Sequence, residues 1–289
     1  MSSHLYRGRI APSPTGFLHL GHARTFWIAH ERTRKAGGRL VLRNDDLDRS
    51  RVRAEFVEAF YEDLRWLGLS WQEGPDLGGE FGPYSQSERL AIYRMAFEEL
   101  RRRGAVYPCT CSRQDVLRAL QAPHQGEEEP VYPGNCRDRK IEQIAPGTKV
   151  NWRFRVPDGQ AIGFHDSAFG PQRFEAGIAF GDFVVWRADE LPSYQLACTV
   201  DDAAMAMTEV VRGADLLLST ARQLLLYRAL ELPEPRFHHC ALMMDERGQR
   251  LAKRNDALSL RRMREMGKTA EDVRRMFGDS VLFSPGRNV

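Results

Sequence analysis

"APSPTGFLHLGHAR", residues 11–24, joins an apolar segment to an amphipathic one through a turn rich in proline and glycine. Residues 6–11 are typical of a short β-strand, and residues 20–35 carry apolar side chains at helical spacing. A strand that leads through such a turn into a helix exposes the first backbone N–H groups of the helix and the positive end of its dipole. The junction therefore predicts a binding site for an anion, and phosphate is the expected ligand.

Two histidines three residues apart, His19 and His22, stand in this turn with Gly21 between them. Both side chains project from the same side of the first helical turn, where they can donate hydrogen bonds to a phosphate whose charge grows in a transition state. Glycine at this point lets a ligand approach the backbone closely. A single loop histidine would be interpreted as polar surface, but the spaced pair at a strand-to-helix junction favours catalysis.

The alternation of strands and helices continues along the chain. Residues 39–43 predict a second buried strand, and residues 52–67 and 87–102 predict amphipathic helices. The alternation resumes in five later segments: 182–187, 193–200, 207–212, 219–231 and 236–243. This order predicts an α/β fold, with a Rossmann-like nucleotide-binding parallel sheet and crossover helices.

The stretch 108–175 interrupts this alternation with cysteines, prolines, glycines and an acidic run. We interpret it as an insertion that splits the sheet. Beyond the second half lies a basic loop at residues 248–255, followed by an arginine-rich tail. We therefore predict four parts, which are a first half of the catalytic domain (1–107), an insertion (108–175), a second half (176–246), and a loop with a short helical tail (247–289).

Composition excludes several classes of protein. The chain has 289 residues, enough for one large domain or two small ones, and 42% of them are hydrophobic. Neither a signal peptide nor a membrane-spanning stretch can be recognised, so we expect a cytoplasmic protein with no membrane partner. Because 42 Lys and Arg face 39 Asp and Glu, giving a net charge of +3, attraction to nucleic acid would depend on a local patch.

Five cysteines, an odd number, indicate a reducing compartment in which clustered thiols are read as metal ligands before disulfides. Cys109, Cys111 and Cys136 lie in the predicted insertion and could supply three ligands to tetrahedral zinc. Three nearby residues could supply the fourth ligand: His124, Tyr132 or Asp138. Cys198 and Cys240 lie in periodic apolar segments and are predicted to be core residues.

The tetrapeptide His19-Leu20-Gly21-His22 resembles the HIGH motif of class I aminoacyl-tRNA synthetases, although related nucleotidylyltransferases also carry a histidine pair after their first strand. The longer run GRIAPSPTG at residues 8–16 looks like the glutamyl branch specifically. Residues 250–254, RLAKR, stand where these enzymes have the mobile KMSKS loop, with Lys253 at the position of its second lysine. The resemblance implies catalytic roles for His19, His22 and Lys253. It also implies an ATP site, with Mg²⁺ accompanying ATP, formed by Pro12, His19, Gly21, His22 and Lys253.

The same resemblance implies a pocket for L-glutamate. Its arginines and tyrosine map to Arg9, Tyr194 in PSYQLA, and Arg212 in VVRGAD. Two arginines suit a substrate with two carboxylates, because the guanidinium fork matches a planar carboxylate. Asp45 stands where the family commonly has a glutamate that meets the substrate ammonium. The full implied set is Arg9, Ile10, Ala11, Pro12, Ser13, Asp45, Tyr194 and Arg212.

Cys-Thr-Cys followed by Tyr-x-Gly-x-Cys is similar to the zinc site of the glutamyl-Q tRNA(Asp) synthetases, the short paralogues of glutamyl-tRNA synthetase. This implies one structural Zn²⁺ with Tyr132 as the fourth ligand. A full glutamyl-tRNA synthetase continues for roughly one more domain that reads the anticodon. We therefore expect no anticodon-binding domain in this chain.

The resemblance as a whole implies a monomeric enzyme that activates L-glutamate with ATP and transfers the glutamyl group to queuosine at the wobble position of tRNA(Asp). Two alternatives remain open at this point. One is a truncated glutamyl-tRNA synthetase that charges the 3′ end of tRNA(Glu). The other is a non-catalytic homologue that binds a nucleotide or RNA.

Overall fold

The computed structural model describes residues 5–111, 131–244 and 259–278. The predicted helix over 20–35 is confirmed, whereas the helix predicted from residue 87 begins at Leu90 because a 3₁₀ turn, Gln86–Glu88, precedes it. The described helices and strands follow one another in this order: β1 (Arg7–Ile10), α1 (Leu20–Lys35), β2 (Arg39–Leu42), α2 (Ala54–Leu67), α3 (Leu90–Arg102), β3 (Val106–Cys109), β4 (Asn151–Phe154), β5 (Ala161–Asp166), β6 (Gly170–Glu175), β7 (Val184–Trp186), α4 (Tyr194–Ala204), β8 (Glu209–Gly213), α5 (Leu217–Ala229), β9 (Arg236–Cys240), α6 (Leu260–Glu265) and α7 (Ala270–Arg275).

Both halves of the chain supply a pair of parallel strands. β1 pairs with β2, with Ile10 opposite Leu42, and β8 pairs with β9. The backbone N–H of Thr208 donates to the carbonyl oxygen of Arg7 over 3.0 Å, which ties the start of β8 to β1. The predicted α/β fold is therefore confirmed, and the starts of β1 and β8 lie beside each other although Arg7 and Thr208 are 201 positions apart in the chain.

Antiparallel strands add to this arrangement between residues 106 and 186. β4 pairs with both β3 and β7, and β5 forms a hairpin with β6. β5 also joins β9 in parallel, where Asp166 lies opposite Phe237. The stretch 108–175 thus contributes strands to two sheets that also contain strands outside it, and its status as a separate unit stays a prediction.

Two buried apolar clusters support the strands. The first packs α1 and α2 against β1 and β2 and extends to α6 and α7, and it includes Ile10, Leu42, Phe60, Leu64 and Val273. The second packs α3, α4 and α5 against β7 and β9, and it includes Tyr93, Phe97, Trp186, Leu196 and Leu224. Because each fully buried large apolar side chain contributes roughly 1.5–3 kcal/mol, these clusters hold the strand ends in place around the cleft described below.

Gly8 lets β1 and α1 approach closely. A Cβ added at Gly8 would lie 2.5 Å from the Thr33 hydroxyl of α1, so no larger residue fits there without a shift. The close approach brings β1 against the last turns of α1. In the described portion of the chain, we find no helix long and apolar enough to cross a membrane.

Candidate active site

A cleft of about 550 Å³ opens where β1, β2 and β8 end. The carboxyl ends of parallel strands are the usual ligand-binding edge of an α/β sheet. Of the described residues that the sequence predicts for ATP and glutamate, these line the cleft: Arg9, Ala11, Pro12, Ser13, His19, Gly21, His22, Asp45, Tyr194 and Arg212. Ile10 is the exception, because its side chain is fully buried in the first apolar cluster.

Backbone hydrogen bonds hold the loop after β1 against the chain that follows β2. The N–H of Asp45 donates to the carbonyl of Pro12 at 3.0 Å, and the N–H of Thr15 donates to the carbonyl of Ser13 at 2.8 Å. Proline within this loop further restricts its backbone. The loop is therefore a preformed edge of the cleft, with the side chain of Ser13 on its lining.

The two histidines stack at the N-terminus of α1. Their ring centroids are 4.1 Å apart with an interplanar angle of 29°. His19 is the N-cap residue, its side chain does not cap the helix, and the first turn holds no acidic residue. A Cβ added at Gly21 would meet no protein atom within 4 Å, so the cleft has room beside the backbone there. Two imidazoles and a helix N-terminus on one cleft wall can stabilise a phosphate whose charge increases.

Four charged residues form a cluster at the floor of the cleft, here called the floor cluster: the buried Arg9, Arg43 and Asp202, and the half-buried Asp45. Arg9 Nε donates to Asp202 Oδ1 at 3.2 Å, and Arg43 Nη1 donates to the same oxygen at 2.8 Å. Arg43 also donates to both oxygens of Asp45, at 2.6 and 3.2 Å. The floor cluster therefore joins β1, the end of β2 and α4 through charge-assisted hydrogen bonds.

The two carboxylates of the floor cluster have different protonation behaviour. Burial raises the pKa of Asp45 to about 6, although Arg43 and Arg9 oppose this shift. Burial acts the same way on Asp202, but Arg9 and Arg43 outweigh it and hold its pKa below the ordinary value. Because 9% of the Asp45 side chain remains exposed, Asp45 is the acid of the floor cluster that can contact a substrate ammonium. Its carboxylate would then bind both that ammonium and Arg43.

From the sequence, no role is predicted for Asp202, or for Arg43 at the end of the second predicted strand. A second missed acid, Asp201, lies beneath them, where Arg89 Nε and Gln86 Nε2 donate to it at 2.7 and 2.8 Å. The available signal was a pair of aspartates in the otherwise uncharged helix α4. Buried aspartates almost always have a charged partner, so the pair indicated cations facing that helix.

Arg212 enters the cleft from β8 with uncharged partners. Its Nη1 donates to Gln223 Oε1 at 2.8 Å, its Nη2 to Thr220 Oγ1 at 2.7 Å, and its Nε to His239 Nε2 at 3.2 Å. Tyr194 begins α4 on the same cleft, and burial raises the pKa of its hydroxyl well above the ordinary value. A guanidinium and a neutral phenol can both donate hydrogen bonds to a substrate carboxylate.

Cys109, Cys111, Cys136 and Tyr132 come together at the end of β3. The three sulfur atoms lie within 4.8 Å of one another, and the Sγ atoms of Cys111 and Cys136 are 3.6 Å apart. The Tyr132 hydroxyl lies 3.2 Å from Cys111 Sγ and 3.5 Å from Cys109 Sγ. Tetrahedral zinc with Zn–S bonds of about 2.3 Å separates its ligand sulfurs by about 3.8 Å, so this group fits a closed structural site.

The other candidate zinc ligands and the remaining cysteines are placed as follows. Among the described residues, Asp138 is not part of the metal-ligating group, and His124 lies outside the described residues. Cys240 is buried in the first apolar cluster, as predicted. Cys198 is buried too, but it also lines the cleft, where its sulfur lies 3.7 Å from Arg43 Nη2.

Lys253 and the basic loop around it lie outside the described residues. The described chain stops at Met244 and resumes at Ser259, and Met243 and Ser259 line the cleft. Ser259 forms a β-bridge with His19, and the N–H of Leu260 donates to the carbonyl of Leu18 at 2.7 Å. The chain thus returns to the histidine pair directly after residue 258.

Residues 6–278 match one protein family, tRNA synthetases class I (E and Q), catalytic domain. The chain is 50% identical over 271 residues to the Glutamyl-Q tRNA(Asp) synthetase of Symbiobacterium thermophilum, a match that covers 92% of this chain and 83% of that protein. It is 42% identical over 275 residues to Glutamate–tRNA ligase 2 of Nitrosococcus oceani, which covers 94% of this chain and 58% of that protein.

A solved structure is also similar. The crystal structure of the glutamate-tRNA synthetase from Elizabethkingia anophelis matches with a TM-score of 0.75 and 29% sequence identity, over 92% of this chain and 54% of that one. The chain therefore spans about half the length of these glutamate–tRNA ligases. The likeness extends to the mixed α/β fold and its arrangement of helices on a sheet.

Proposed function

Because this chain belongs to the family of class I tRNA synthetases (E and Q) and is an aminoacyl-tRNA synthetase-like ligase, we propose that it activates L-glutamate with ATP and transfers the glutamyl group to queuosine at the wobble position of tRNA(Asp). One observation carries the proposal. A stacked histidine pair at a helix N-terminus shares a single cleft with two buried arginines and an accessible carboxylate. These are the groups that adenylation of an acidic amino acid requires.

In the first step, an oxygen of the glutamate carboxylate attacks the α-phosphorus of ATP in line, and pyrophosphate leaves. His19 and His22 stabilise the charge that develops on the phosphate oxygens, together with the backbone N–H groups that begin α1. Asp45 accepts hydrogen bonds from the substrate ammonium, while Arg9 and Arg212 bind its carboxylates. Lys253 remains predicted as a further phosphate contact outside the described residues.

In the second step, a hydroxyl of the queuosine cyclopentenediol attacks the carbonyl carbon of the adenylate. An ester forms, AMP leaves with the bonding electron pair, and the hydroxyl proton passes to solvent or to a phosphate oxygen. The name of the Symbiobacterium relative supports this acceptor. Exposed arginines on α6 are suited to contacts with RNA phosphates. One of them is Arg261, whose guanidinium lies 4.9 Å from the ring centroid of Phe17, a residue that lines the cleft.

Two metal ions accompany the proposal. Mg²⁺ would enter as part of the ATP substrate. Cys109, Cys111, Cys136 and Tyr132 would hold one Zn²⁺, which at a closed four-ligand site supplies stability and no reaction step. The active form would be a monomer, as the sequence resemblance implies.

The experiment that tests the acceptor is the transfer of labelled glutamate to unfractionated tRNA, with ATP present. Transfer to tRNA from cells that make queuosine is compared with transfer to tRNA from cells that do not, each with and without periodate-blocked 3′ ends. Label that requires queuosine and survives blocking is expected. Label that ignores queuosine and disappears on blocking would identify a truncated glutamyl-tRNA synthetase, for which the likeness to Glutamate–tRNA ligase 2 is the supporting observation.

Glutamate-dependent exchange between ATP and pyrophosphate tests the activation step separately. His22→Asn is expected to lower this exchange by about 10²-fold or more, because it removes one donor to the transition-state charge. His165→Asn, at an exposed position on β5, is the matched control and should retain exchange. A wild-type chain without any exchange would favour a non-catalytic homologue.

A further inference from the structure

His239 contacts Arg212 from the neighbouring strand. The two residues are opposite each other in the β8–β9 ladder, and His239 Nε2 lies 3.2 Å from Arg212 Nε. With Gln223 and Thr220 on the two terminal nitrogens, all three nitrogens of the guanidinium have an acceptor. Within residues 5–111, 131–244 and 259–278, no carboxylate forms an ion pair with Arg212.

Asp166 decides which nitrogen of His239 can accept that hydrogen bond. Its Oδ2 lies 2.6 Å from His239 Nδ1 and also accepts the backbone N–H of His239 at 3.0 Å. Its Oδ1 accepts the backbone N–H groups of Ala168 and Phe169, both at 2.9 Å, and the side chains of Asp166 and His239 are fully buried. A carboxylate in this position requires the proton on Nδ1, which leaves the Nε2 lone pair facing Arg212 Nε and the Thr220 hydroxyl, whose oxygen lies 3.1 Å from Nε2.

The charges of the pair agree with this assignment. Burial lowers the pKa of His239, Arg212 acts in the same direction, and together they outweigh Asp166. Burial alone would raise the pKa of Asp166, but the hydrogen bond from His239 and those from the backbone hold it below the ordinary value. At neutral pH the pair is therefore a neutral imidazole beside a carboxylate.

We propose that His239, oriented by Asp166, is a positioning residue that fixes the guanidinium of Arg212 for the recognition of L-glutamate. The inference rests on the proposed function, in which Arg212 binds a substrate carboxylate. An arginine has five N–H donors, of which three are engaged here, so two remain for a ligand in a plane that cannot rotate. A neutral acceptor holds that plane and leaves the charge of the guanidinium in place, whereas a carboxylate at the same position would neutralise it.

The chemistry of the acceptors also bears on specificity. A charge that is directly bonded only to neutral groups gains most from a ligand that brings a carboxylate. A ligand amide would leave it uncompensated in a buried site, which is the arrangement that rejects glutamine. His239 therefore contributes to the choice of glutamate by holding the guanidinium of Arg212 aimed at the cleft without neutralising it.

Three variants test this role. His239→Asn keeps a donor near the Nδ1 position but has no acceptor at the Nε2 position, whereas His239→Gln returns an amide oxygen near Nε2. His238→Asn is the matched control, because His238 is the adjacent residue of β9 and its Nδ1 bonds instead to the Ser167 hydroxyl at 2.8 Å. In glutamate-dependent exchange, His239→Asn is expected to raise the KM for glutamate about 10- to 100-fold and leave the KM for ATP almost unchanged. His239→Gln should recover part of the loss.

Asp166→Asn tests the same role of His239 by changing which of its ring nitrogens carries the proton. The amide can present its NH₂ to Nδ1, which moves the imidazole proton to Nε2 and sets it against the N–H of Arg212. We expect the same selective rise in the KM for glutamate. A KM for ATP that rises equally, with a lower kcat, would instead indicate general damage and overturn the proposal.

A double-mutant cycle with Arg212→Lys decides whether His239 acts through Arg212. Lysine keeps the charge but loses the planar fork, so adding His239→Asn should then change the KM for glutamate little further. Multiplicative losses from the two substitutions would overturn the proposal. A wild-type chain without exchange would count against the proposed function, and the series would then be measured by calorimetric binding of L-glutamate. There, about tenfold or greater weakening in His239→Asn relative to His238→Asn supports the positioning role, and equal affinity overturns it.

Discussion

The two walls of the cleft hold their arginines by opposite means. On the wall built from β1 and β2, Arg9 and Arg43 share the Asp202 carboxylate at 3.2 and 2.8 Å. On the wall built from β8 and β9, Arg212 donates to an amide, a hydroxyl and an imidazole. A buried arginine that is paired with a carboxylate holds the backbone, and breaking that pair leaves an uncompensated charge. An arginine with neutral acceptors retains its charge for a ligand. The first wall therefore contributes stability as well as the proposed contacts of Arg9 and Asp45, whereas Arg212 on the second wall contributes binding alone.

Asp202→Asn is the strongest test of the first wall. It leaves Arg9 and Arg43 buried without their shared carboxylate, and we expect the free energy of unfolding to fall by about 3–5 kcal/mol. Urea unfolding at pH 7 measures the change. Glu190→Gln, which breaks the exposed ion pair with Arg94, is the control and should cost less than about 1 kcal/mol. If Asp202→Asn lowered the free energy of unfolding by no more than the control, the floor cluster would not stabilise this wall.

The cysteine group extends the comparison to side chains that can bind a metal ion. If Zn²⁺ binds there, free zinc at 1,000 times its Kd stabilises the folded chain by about 4 kcal/mol, and a chelator removes this amount. Unfolding with and without chelator, together with the zinc content per chain, tests the expectation. In Cys136→Ser the chelator should have little further effect. An identical unfolding midpoint of the untreated and chelated wild-type chain would argue against a structural metal.

A third prediction uses pH to remove a pair from the first wall. Hydrogen bonds from Arg7 at 2.7 and 2.9 Å, joined by one from Tyr84, lower the pKa of Glu73 to about 2 despite its burial. Because the folded pKa lies below the unfolded value, the resulting stability of about 3 kcal/mol is present above pH 4.5 and is lost as the pH falls towards 2.

Glu73→Gln provides the matched measurement. The wild-type chain should exceed this variant in unfolding free energy at pH 7, and the difference should shrink steadily between pH 4.5 and 2. A difference that stays constant over that range would mean that ionisation of Glu73 contributes nothing to the stability of the wall.

The smallest effect on stability is expected on the second wall. Arg212→Gln removes a buried charge that has no carboxylate partner, so the free energy of unfolding should change by no more than about 1 kcal/mol and in the direction of greater stability. Glutamate-dependent exchange should nevertheless be lost. If this variant unfolds as readily as Asp202→Asn, the two walls do not differ in the way that their hydrogen bonds indicate.

Much of the fold could be predicted because it depends on residues close together in the chain. The boundaries of α1 follow from its apolar spacing and from the turn before it, and they were predicted residue for residue. The boundary of α3 was less accurate because a 3₁₀ turn and an α-helix share the same local pattern over a few residues. The spacing of the cysteines likewise predicted a group that the fold brings together.

The floor cluster and the support of Arg212 could not be predicted in the same way. Arg43 and Asp202 are 159 positions apart, and Asp166 and His239 are 73 apart. No periodicity links such residues, because their pairing depends on how the strand ends meet. The pKa values of Asp45 and His239 depend on the same arrangement of strand ends, since burial and neighbouring charges act only once the chain is folded.

By itself, the sequence determined the strand-to-helix junction with its histidine pair, the α/β alternation and the three clustered cysteines, because turn chemistry and side-chain periodicity are local properties. Only the tertiary structure decided which charges neutralise one another and which remain for a ligand. Arg9 and Arg212 look alike in the sequence as members of an expected glutamate pocket. The fold gives one of them a carboxylate and the other an oriented imidazole, and electrostatic energy in a buried site depends on that difference.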